Sequence, residues 1–374
     1  MTDSGQSAIA KPTYVTYREE LERPRPDEDE LIDKIVKALH SNNEWAFKKY
    51  KHAIRDAHAK SHGVLRGELT VPAGLPDHLR QGLFATPATY PVIARLSSTH
   101  PTIRSDEIRG IRAIAIKVLG VQGPRVLSDD QASTQDFVLV NHSEFPFADA
   151  RAYYTKGMPQ AWLLARAPEP ALRLAVALLV QAPRILPRVG LSLPAAIALF
   201  TAPNTHVLGE TFYSAAPLRY GDYVAKISLA PLSSSVKALQ HQLIPRDAGD
   251  DAHRKLVVDF FASNDAEYEV RAQLCTDPAA MPIEDARVPW PESASPHCAV
   301  ATIRFPEQNA DTVYRRVFAD DVLSFNSWRA LADHRPLGSI NRLKKKTYDA
   351  SSQYRHETNN APRFEPTDVA DLPK

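Results

Sequence analysis

The sequence has few cysteines, little net charge and no long apolar run. Its two cysteines, Cys275 and Cys298, are too few for a disulfide framework or a zinc cluster and are typical of a reducing compartment. The 45 basic and 44 acidic residues give a formal net charge of +1, so no global field attracts nucleic acid or a membrane surface. No apolar run reaches about 18 residues, which argues against a spanning helix. The first residues lack the basic and apolar regions of a signal peptide, so we expect a cytoplasmic protein.

Length and composition predict a folded chain rich in strands and loops. The 374 residues suffice for one large domain or two ordinary ones, and 44% apolar residues are typical of a sizeable core. The chain has 30 prolines, more than the usual one residue in about twenty, which favours strands and loops over a helical bundle. We expect a flexible arm over residues 1–28, one domain over residues 29–356 and a disordered tail over residues 357–374.

Two kinds of periodicity divide the predicted domain. Apolar residues at helical spacing over residues 28–58 predict one or two amphipathic helices. Eight segments with strand character are residues 64–71, 90–97, 112–119, 136–141, 210–214, 223–229, 268–275 and 299–305. Because no helical spacer separates the first of them, we expect an antiparallel sheet, and eight strands can close a barrel. Residues 158–200 predict a packed helical excursion, with weak membrane or lipid contact as the alternative.

A histidine precedes the first predicted strand. His58 stands in the segment Arg55-Asp-Ala-His-Ala-Lys-Ser-His-Gly63, and the strand after it would hold the backbone while the imidazole points into a cavity. A histidine that takes a proton needs its other ring nitrogen fixed by a partner, and Ser97 on the next strand can be that partner. Taken singly, a histidine is more often a core or surface residue, and Arg95 beside Ser97 is more often a surface cation.

Two later segments carry an amide and a phenol. The strand Asp136–Asn141 ends in an amide that precedes two phenylalanines. Tyr348 has Lys344 four residues before it and Arg355 seven residues after it, so all three lie on one face of a helix. A phenol has a pKa near 10, and a nearby cation favours its deprotonated form. The alternative is a solvated basic face with a half-buried tyrosine.

In chain order, these stretches resemble the haem catalases. The resemblance implies an α+β fold built on an antiparallel eight-stranded β-barrel, with a helical excursion and flanking helices, in which residues 29–356 form a single haem-binding domain. It implies that His58 is the distal histidine supported by Ser97, that Asn141 is the amide that orients peroxide, and that Tyr348 is the axial ligand of the iron. The residues that it implies for binding haem b are Arg55, Arg95, Lys344, Tyr348 and Arg355.

The chain also departs from the catalase pattern. Ala57 stands where catalases usually carry valine, which would widen the pocket, and Ser61-His62 replaces a glycine-rich continuation. Lys344 stands where the family has arginine, which can make a planar two-pronged contact that lysine cannot. Asn141 falls one residue late when counted from Asp136, unless the strand carries a bulge. The chain is most similar to the small bacterial catalase-related haem peroxidases.

The resemblance implies a haem-dependent peroxidase or catalase-like oxidoreductase that acts on hydrogen peroxide or small organic peroxides with a small organic reductant. Two alternatives remain open. A lipid hydroperoxide isomerase or lyase of allene-oxide-synthase type is favoured by Ala57 and the apolar residues 158–200. A non-catalytic haem or apolar-ligand-binding protein is favoured by Lys344. We expect a homo-oligomer without a nucleic-acid partner.

Overall fold

The computed structural model describes residues 13–182, 202–245 and 247–374. Within these residues, nine strands form one antiparallel sheet: β1 (Lys60–Val71), β2 (Ala88–Ser98), β3 (Arg112–Leu119), β4 (Thr134–Val140), β5 (Phe212–Tyr213), β6 (Leu218–Tyr220), β7 (Tyr223–Pro231), β8 (Ala266–Leu274) and β9 (Cys298–Phe305). The sheet closes because β5 pairs with β4 and β7, and β1 pairs with β2 and β9. Strand β6 forms a hairpin with β7 outside this ring of eight.

Alternation along the strands separates a packed interior from an outer wall. Leu96 and Ile114 are paired across β2 and β3, and both belong to the buried apolar core of the barrel. Their neighbours Arg95, Ser97 and Ala115 therefore point to the opposite face of the sheet, since successive side chains alternate. The outer wall of β2 to β4 is thus free to line a site, while the interior is filled by side chains.

Helices flank the barrel. They are α1 (Glu28–Tyr50), α2 (Ala150–Ala152), α3 (Met158–Arg166), α4 (Glu169–Leu179), α5 (Ser234–Lys237), α6 (Ala252–Phe261), α7 (Val313–Val317) and α8 (Ser339–Thr358). Helix α1 has acidic residues in its first turn and lysines in its last, which matches the helix dipole. Its apolar stripe, which includes Ile35 and Leu39, packs against Ile340 and Leu343 of α8. In the described part of the chain, no helix combines the length and apolar character needed to cross a bilayer.

The predicted α+β fold with a closed antiparallel eight-stranded barrel is confirmed. Each of the eight predicted strands is present, although the segment at residues 210–214 shortens to Phe212–Tyr213 and the β6 hairpin was not predicted. Helices α3 and α4 occupy the first half of the predicted excursion over residues 158–200. The part of that excursion from residue 183 onwards lies outside the described residues.

The described part of the N-terminal arm differs from the flexible segment that we expected. The backbone N–H of Val15 donates to the carbonyl of Cys275 at 2.8 Å, and Thr16 bridges to Tyr223. Val15 and Tyr17 pack on a buried apolar cluster, so burial of these side chains offsets the entropy of ordering the segment. Residues 1–12 of the expected arm lie outside the described residues.

The C-terminal residues also differ from the disordered tail that we expected. The Glu365 carboxylate binds Lys117, a cation that is fully buried on β3, and also binds Arg329 at 3.0 Å. Leu372 is 2% exposed and packs in a separate apolar cluster with Val64. Composition shows a polar tail but cannot show that a buried lysine elsewhere requires an anionic partner.

Candidate functional site

His58 lies immediately before β1 and is held by two residues of β2. Its backbone has φ of +59°, an uncommon conformation that histidine tolerates better than most residues, and its carbonyl accepts from Arg95 at 3.0 Å. Ser97 Oγ lies 3.1 Å from Nδ1 of the imidazole, as predicted. Burial, with a smaller contribution from the charges of Arg95, Lys344 and Arg55, lowers the pKa of His58 to about 3. The imidazole is therefore neutral at physiological pH and can accept a proton.

Two adjoining cavities bring His58 and Tyr348 together. One has a volume of about 80 Å³ and is lined by arginine side chains and by the outer wall of β3 and β4. The other has a volume of about 200 Å³ and is largely apolar, with Phe145 and Phe147 in its lining. His58, Tyr348 and Ala57 line both cavities. The predicted histidine and phenol thus face a shared space, and the small Ala57 side chain lies beside it.

The Tyr348 phenol lies on α8 in an environment that favours its neutral form. Burial raises its pKa, and the nearby Asp56 and Tyr153 raise it further. Lys344 does lie one turn before it, but the ammonium is placed 5.6 Å from the centre of the Phe145 ring. A bound metal cation is therefore the influence that could make Tyr348 a phenolate here, because a coordinated cation deprotonates its ligand.

The basic run around Lys344 is not a uniformly solvated face. Lys344 lines the larger cavity, and burial lowers its pKa to about 8. Arg342 forms ion pairs with Glu22 at 2.7 Å and with Glu284 at 2.7 Å. Lys345 and Lys346 are exposed, as a solvated face would require. Both interpretations of the basic run therefore hold in part. Lys344 lines a cavity and Arg342 forms ion pairs, whereas Lys345 and Lys346 form a solvated basic face.

Three predicted arginines converge beside the smaller cavity. Arg55, Arg95 and Arg355 all contact the π-helical turn Phe318–Val322. Arg55 and Arg95 share the Asp320 carboxylate at 3.3 and 2.8 Å, while Arg55 and Arg355 each donate to a backbone carbonyl of the turn at 2.6 Å. Burial and, to a smaller extent, the neighbouring Arg95 lower the pKa of Arg355 to about 10. The three guanidinium groups lie beside the carboxylates of Asp320, Asp321 and Asp56, and their N–H groups are donors of the kind that bind an anionic ligand group.

These features fit haem b. The arginine cluster matches the charge of its carboxylates, the phenylalanine-lined cavity matches its apolar ring, and Tyr348 offers an oxygen to its iron. Separately, among the described side chains there is no group of three or more histidine, cysteine, aspartate or glutamate residues that could hold a metal ion.

Asn141 is not brought together with His58. Strands β3 and β4 pair in regular register from Ala113–Val140 to Leu119–Thr134, without the bulge that would turn the amide towards the cavities. The amide is instead used elsewhere, because Oδ1 accepts from the backbone N–H of Arg112 at 2.9 Å and Nδ2 donates to Glu210 at 3.3 Å. Val138, three residues earlier, lines the smaller cavity from the same strand.

The sequence reasoning missed Asp56. This carboxylate lies next to Arg55, lines both cavities, and accepts from Ser351 Oγ at 2.7 Å. Burial raises its pKa. A signal was present, because Ser351 follows Tyr348 by three residues and precedes Arg355 by four, which places it on the same helix face.

His62, which departs from the catalase pattern, lies apart from these cavities. It is fully buried at the start of β1, and its Nε2 lies 2.7 Å from Ser98 Oγ. Its ring centroid lies 5.0 Å from that of His253 on α6. Ser98 points to the opposite face of β2 from Ser97, so the imidazoles of His62 and His58 lie on different sides of the sheet.

No protein-family model and no curated protein matches the sequence. Solved structures do match over nearly the whole chain. Catalase A from Saccharomyces cerevisiae is 16% identical, with a TM-score of 0.58, over 98% of this chain and 74% of that chain. A fungal catalase is 16% identical, with a TM-score of 0.59, over 100% and 75% of the two chains. A bacterial catalase is 13% identical, with a TM-score of 0.57, over 97% and 71%. The chain therefore has a catalase-like fold.

Proposed function

We propose that this protein is a haem-dependent oxidoreductase that acts on hydrogen peroxide or small organic peroxides. The observation that carries the proposal is the pair of cavities lined by both His58 and Tyr348, within a catalase-like fold. The arginine cluster supports it, because guanidinium groups are the side chains that bind carboxylates most strongly, and haem carries carboxylate groups.

Each site residue has a role that its environment supports. Bound haem would supply the redox chemistry on the peroxide. Tyr348 would hold the iron through its phenolic oxygen, and Arg55, Arg95 and Arg355 would hold the carboxylates. With Nδ1–H donated to Ser97, the Nε2 lone pair of His58 would be free to accept a proton from one peroxide oxygen and pass it to the other.

The environment of His58 favours peroxidation with an organic reductant over dismutation of two peroxide molecules. Asn141 donates its amide to Glu210 and so is not available to orient a peroxide beside the imidazole. The residues of β3 and β4 that line the cavity there are Ala113, Ala115 and Val138, none of which has a polar side chain. Along this wall a second hydrogen peroxide would find no replacement for its hydrogen bonds to water.

A lipid hydroperoxide is the second candidate substrate. The larger cavity is mostly apolar and is bordered by Gly157, Ala161 and Leu164 on one side of α3. Exposed apolar side chains on α3 and α4 are Trp162, Leu163, Leu174 and Leu178. We propose a weak lipid contact through this exposed surface, which would bring a long-chain hydroperoxide close to the cavity.

Tyr348→Phe tests the haem assignment. Purified wild-type protein supplied with haemin should show a Soret band with a tyrosinate charge-transfer feature, whereas the variant should lose that feature and bind haem at least about tenfold more weakly, since it has no phenolic oxygen. Absorption titration measures both without turnover. Tyr354→Phe is the control, because that ring lies edge-on to His40, at 5.0 Å, away from the cavities. Absence of haem binding by the wild type would refute the proposal.

Peroxide chemistry is tested separately with the haem-loaded protein. We expect faster oxidation of a phenolic reductant than release of oxygen when hydrogen peroxide is added. Faster turnover of a fatty-acid hydroperoxide without added reductant would establish the second candidate instead. Haem binding without either reaction would leave a non-catalytic haem protein.

A further inference from the structure

A groove of about 350 Å³ lies between α1 and α8, beside the helix that carries Tyr348. Val36 and Leu39 of α1 and Ala350 of α8 make much of its wall apolar. Asn43 contributes a polar group to this apolar lining. The groove is distinct from the two cavities that contain His58.

The Asn43 amide lacks a partner. The residue is 4% exposed, and no described residue forms a hydrogen bond with its side chain. The adjacent Asn42 is equally buried, but its Oδ1 accepts from Arg166 at 2.6 Å. Because this amide lines the groove and has no protein partner, a ligand that both donates to it and accepts from it would form hydrogen bonds there.

A thin wall separates the groove from the inner cavities. Leu39 and Thr347 line both the groove and the larger cavity, and Ser351 lines both the groove and the smaller cavity. Ser351 also donates to Asp56, which lies inside. A molecule in the groove would therefore lie one side chain away from the space that contains Tyr348.

We propose that the groove binds a neutral phenol that serves as the organic reductant of the proposed function, on which this inference rests. A phenolic hydroxyl is both donor and acceptor, so it can satisfy both halves of the Asn43 amide. Its ring would cover the apolar wall formed by Leu39 and Ala350. His40 lines the same groove, and its ring packs edge-on against the Tyr354 ring, with the two centroids 5.0 Å apart. An aromatic ligand in the groove would therefore lie beside aromatic side chains.

The reaction balances with two phenols for each peroxide. Hydrogen peroxide and two phenols give two water molecules and two phenoxyl radicals. Each phenol would lose its O–H proton to solvent, which reaches the groove beside the exposed His40 side chain. Each phenol would also lose one electron, and bound haem would supply the redox chemistry that passes the electrons to the peroxide across the wall formed by Thr347 and Ser351.

Calorimetric titration of the haem-loaded protein with p-cresol, without peroxide, tests the binding. We expect p-cresol to bind at least tenfold more tightly than toluene, which lacks the hydroxyl, and more tightly than benzoate, which is charged. Asn43→Leu keeps the side-chain volume and removes the amide, so p-cresol affinity should fall at least tenfold to the level of toluene. Ser41→Leu on the exposed side of α1 is the matched control and should leave p-cresol affinity unchanged.

A second variant, Ala350→Phe, fills the groove from α8 and should abolish p-cresol binding even if Asn43→Leu folds poorly. Equal affinity of wild type and Asn43→Leu for p-cresol, or tighter binding of benzoate, would overturn the inference. Turnover distinguishes this failure from failure of the proposed function. If wild type and Asn43→Leu oxidise p-cresol with the same KM, the groove is not the reductant site but the function stands. If p-cresol binds through Asn43 and peroxide is not consumed, the site stands and the function fails.

Discussion

At the scale of single residues, His58 combines a strained backbone with a neutral, oriented imidazole. The left-handed φ of +59° is maintained because Arg95 binds the carbonyl and Ser97 binds the ring. Since burial lowers the pKa of His58 to about 3, the imidazole remains an available base throughout the physiological pH range. Strain of this kind persists only where surrounding contacts impose it, as they do here.

Substitution His58→Ala should retain haem, because the proposed ligand is Tyr348, but slow the reaction with peroxide by about 10² to 10⁴. Stopped-flow absorption of the haem-loaded protein measures this rate. Ser97→Ala should have a smaller effect, since it removes the orientation of the imidazole but not the base. A loss of less than about tenfold in His58→Ala would show that the histidine is structural.

Lys344→Arg tests the departure from the catalase pattern. A guanidinium is larger and planar, so it can reach the Tyr348 oxygen where the ammonium lies over Phe145 instead. We expect a more negative ferric/ferrous potential, by less than about 59 mV, which corresponds to a tenfold change for one electron. The ratio of dismutation to peroxidation should rise.

Spectroelectrochemical titration measures the potential of the Lys344→Arg variant. Lys345→Arg is the matched control, because Lys345 is exposed and lies 5.0 Å from the Trp328 ring on another face of α8. A shift of equal size in both variants would mean that general charge, and not contact with the phenol, sets the potential.

At the scale of elements, α8 connects the site to the rest of the fold. One end is tied by Arg342 to Glu22 of the N-terminal arm, to Glu28 of α1 and to Glu284. The other end is tied by Arg355 to the carbonyls of the π-helical turn Phe318–Val322. Tyr348 lies between these two anchors, so its position depends on contacts formed by segments far away in the sequence.

Arg342→Met should destabilise the protein by about 3–5 kcal/mol, because it leaves buried carboxylates without their cation. Urea unfolding measures the loss. Lys346→Met is the matched control, since Lys346 pairs with Asp33 at 3.1 Å on an exposed surface and its removal should cost less than about 1 kcal/mol. Equal effects of the two substitutions would contradict a structural role for the buried network.

At the scale of the whole molecule, buried histidines should make the protein sensitive to acid. Burial lowers the pKa of His100, His206 and His334 to about 4 in each case. Between pH 6.5 and 4 the unfolded chain therefore binds more protons than the folded one, so stability falls as the pH falls. Each group contributes up to about 1.4 kcal/mol per pH unit in this window.

Urea unfolding of the wild type at pH 7 and at pH 5.5 should show a loss of several kcal/mol. His334→Gln should reduce that loss, because glutamine can still accept the hydrogen bond that the backbone of Leu83 donates at 2.8 Å. His241→Asn is the control, since His241 is exposed and asparagine tolerates its positive φ. Equal pH dependence of all three proteins would contradict this account.

The alternation of apolar and polar residues predicted the strands of the barrel, because a strand with one buried face shows this alternation in its own sequence. The resemblance to catalases selected His58, Tyr348 and the arginines, which the structure places around the cavities. Asn141 lies outside the cavities, and a position counted along a strand does not show which face the pleat turns towards them. The sequence reasoning missed Asp56, whose partner Ser351 is 295 residues away, since such a contact exists only after the helices dock.

The closed sheet has a consequence for the folding rate. Strand β1 is completed only when Leu69 pairs with Ile303 of β9, so the ring cannot form until most of the chain is present. Such distant pairing is intrinsically slow, because the loop between the strands must be ordered before its contacts stabilise it. Until then the edges of β1 and β8 remain unpaired and can join other chains. We therefore expect the barrel to refold slowly. The refolding yield should decrease as protein concentration increases, although the eight strands form a closed ring once folding is complete.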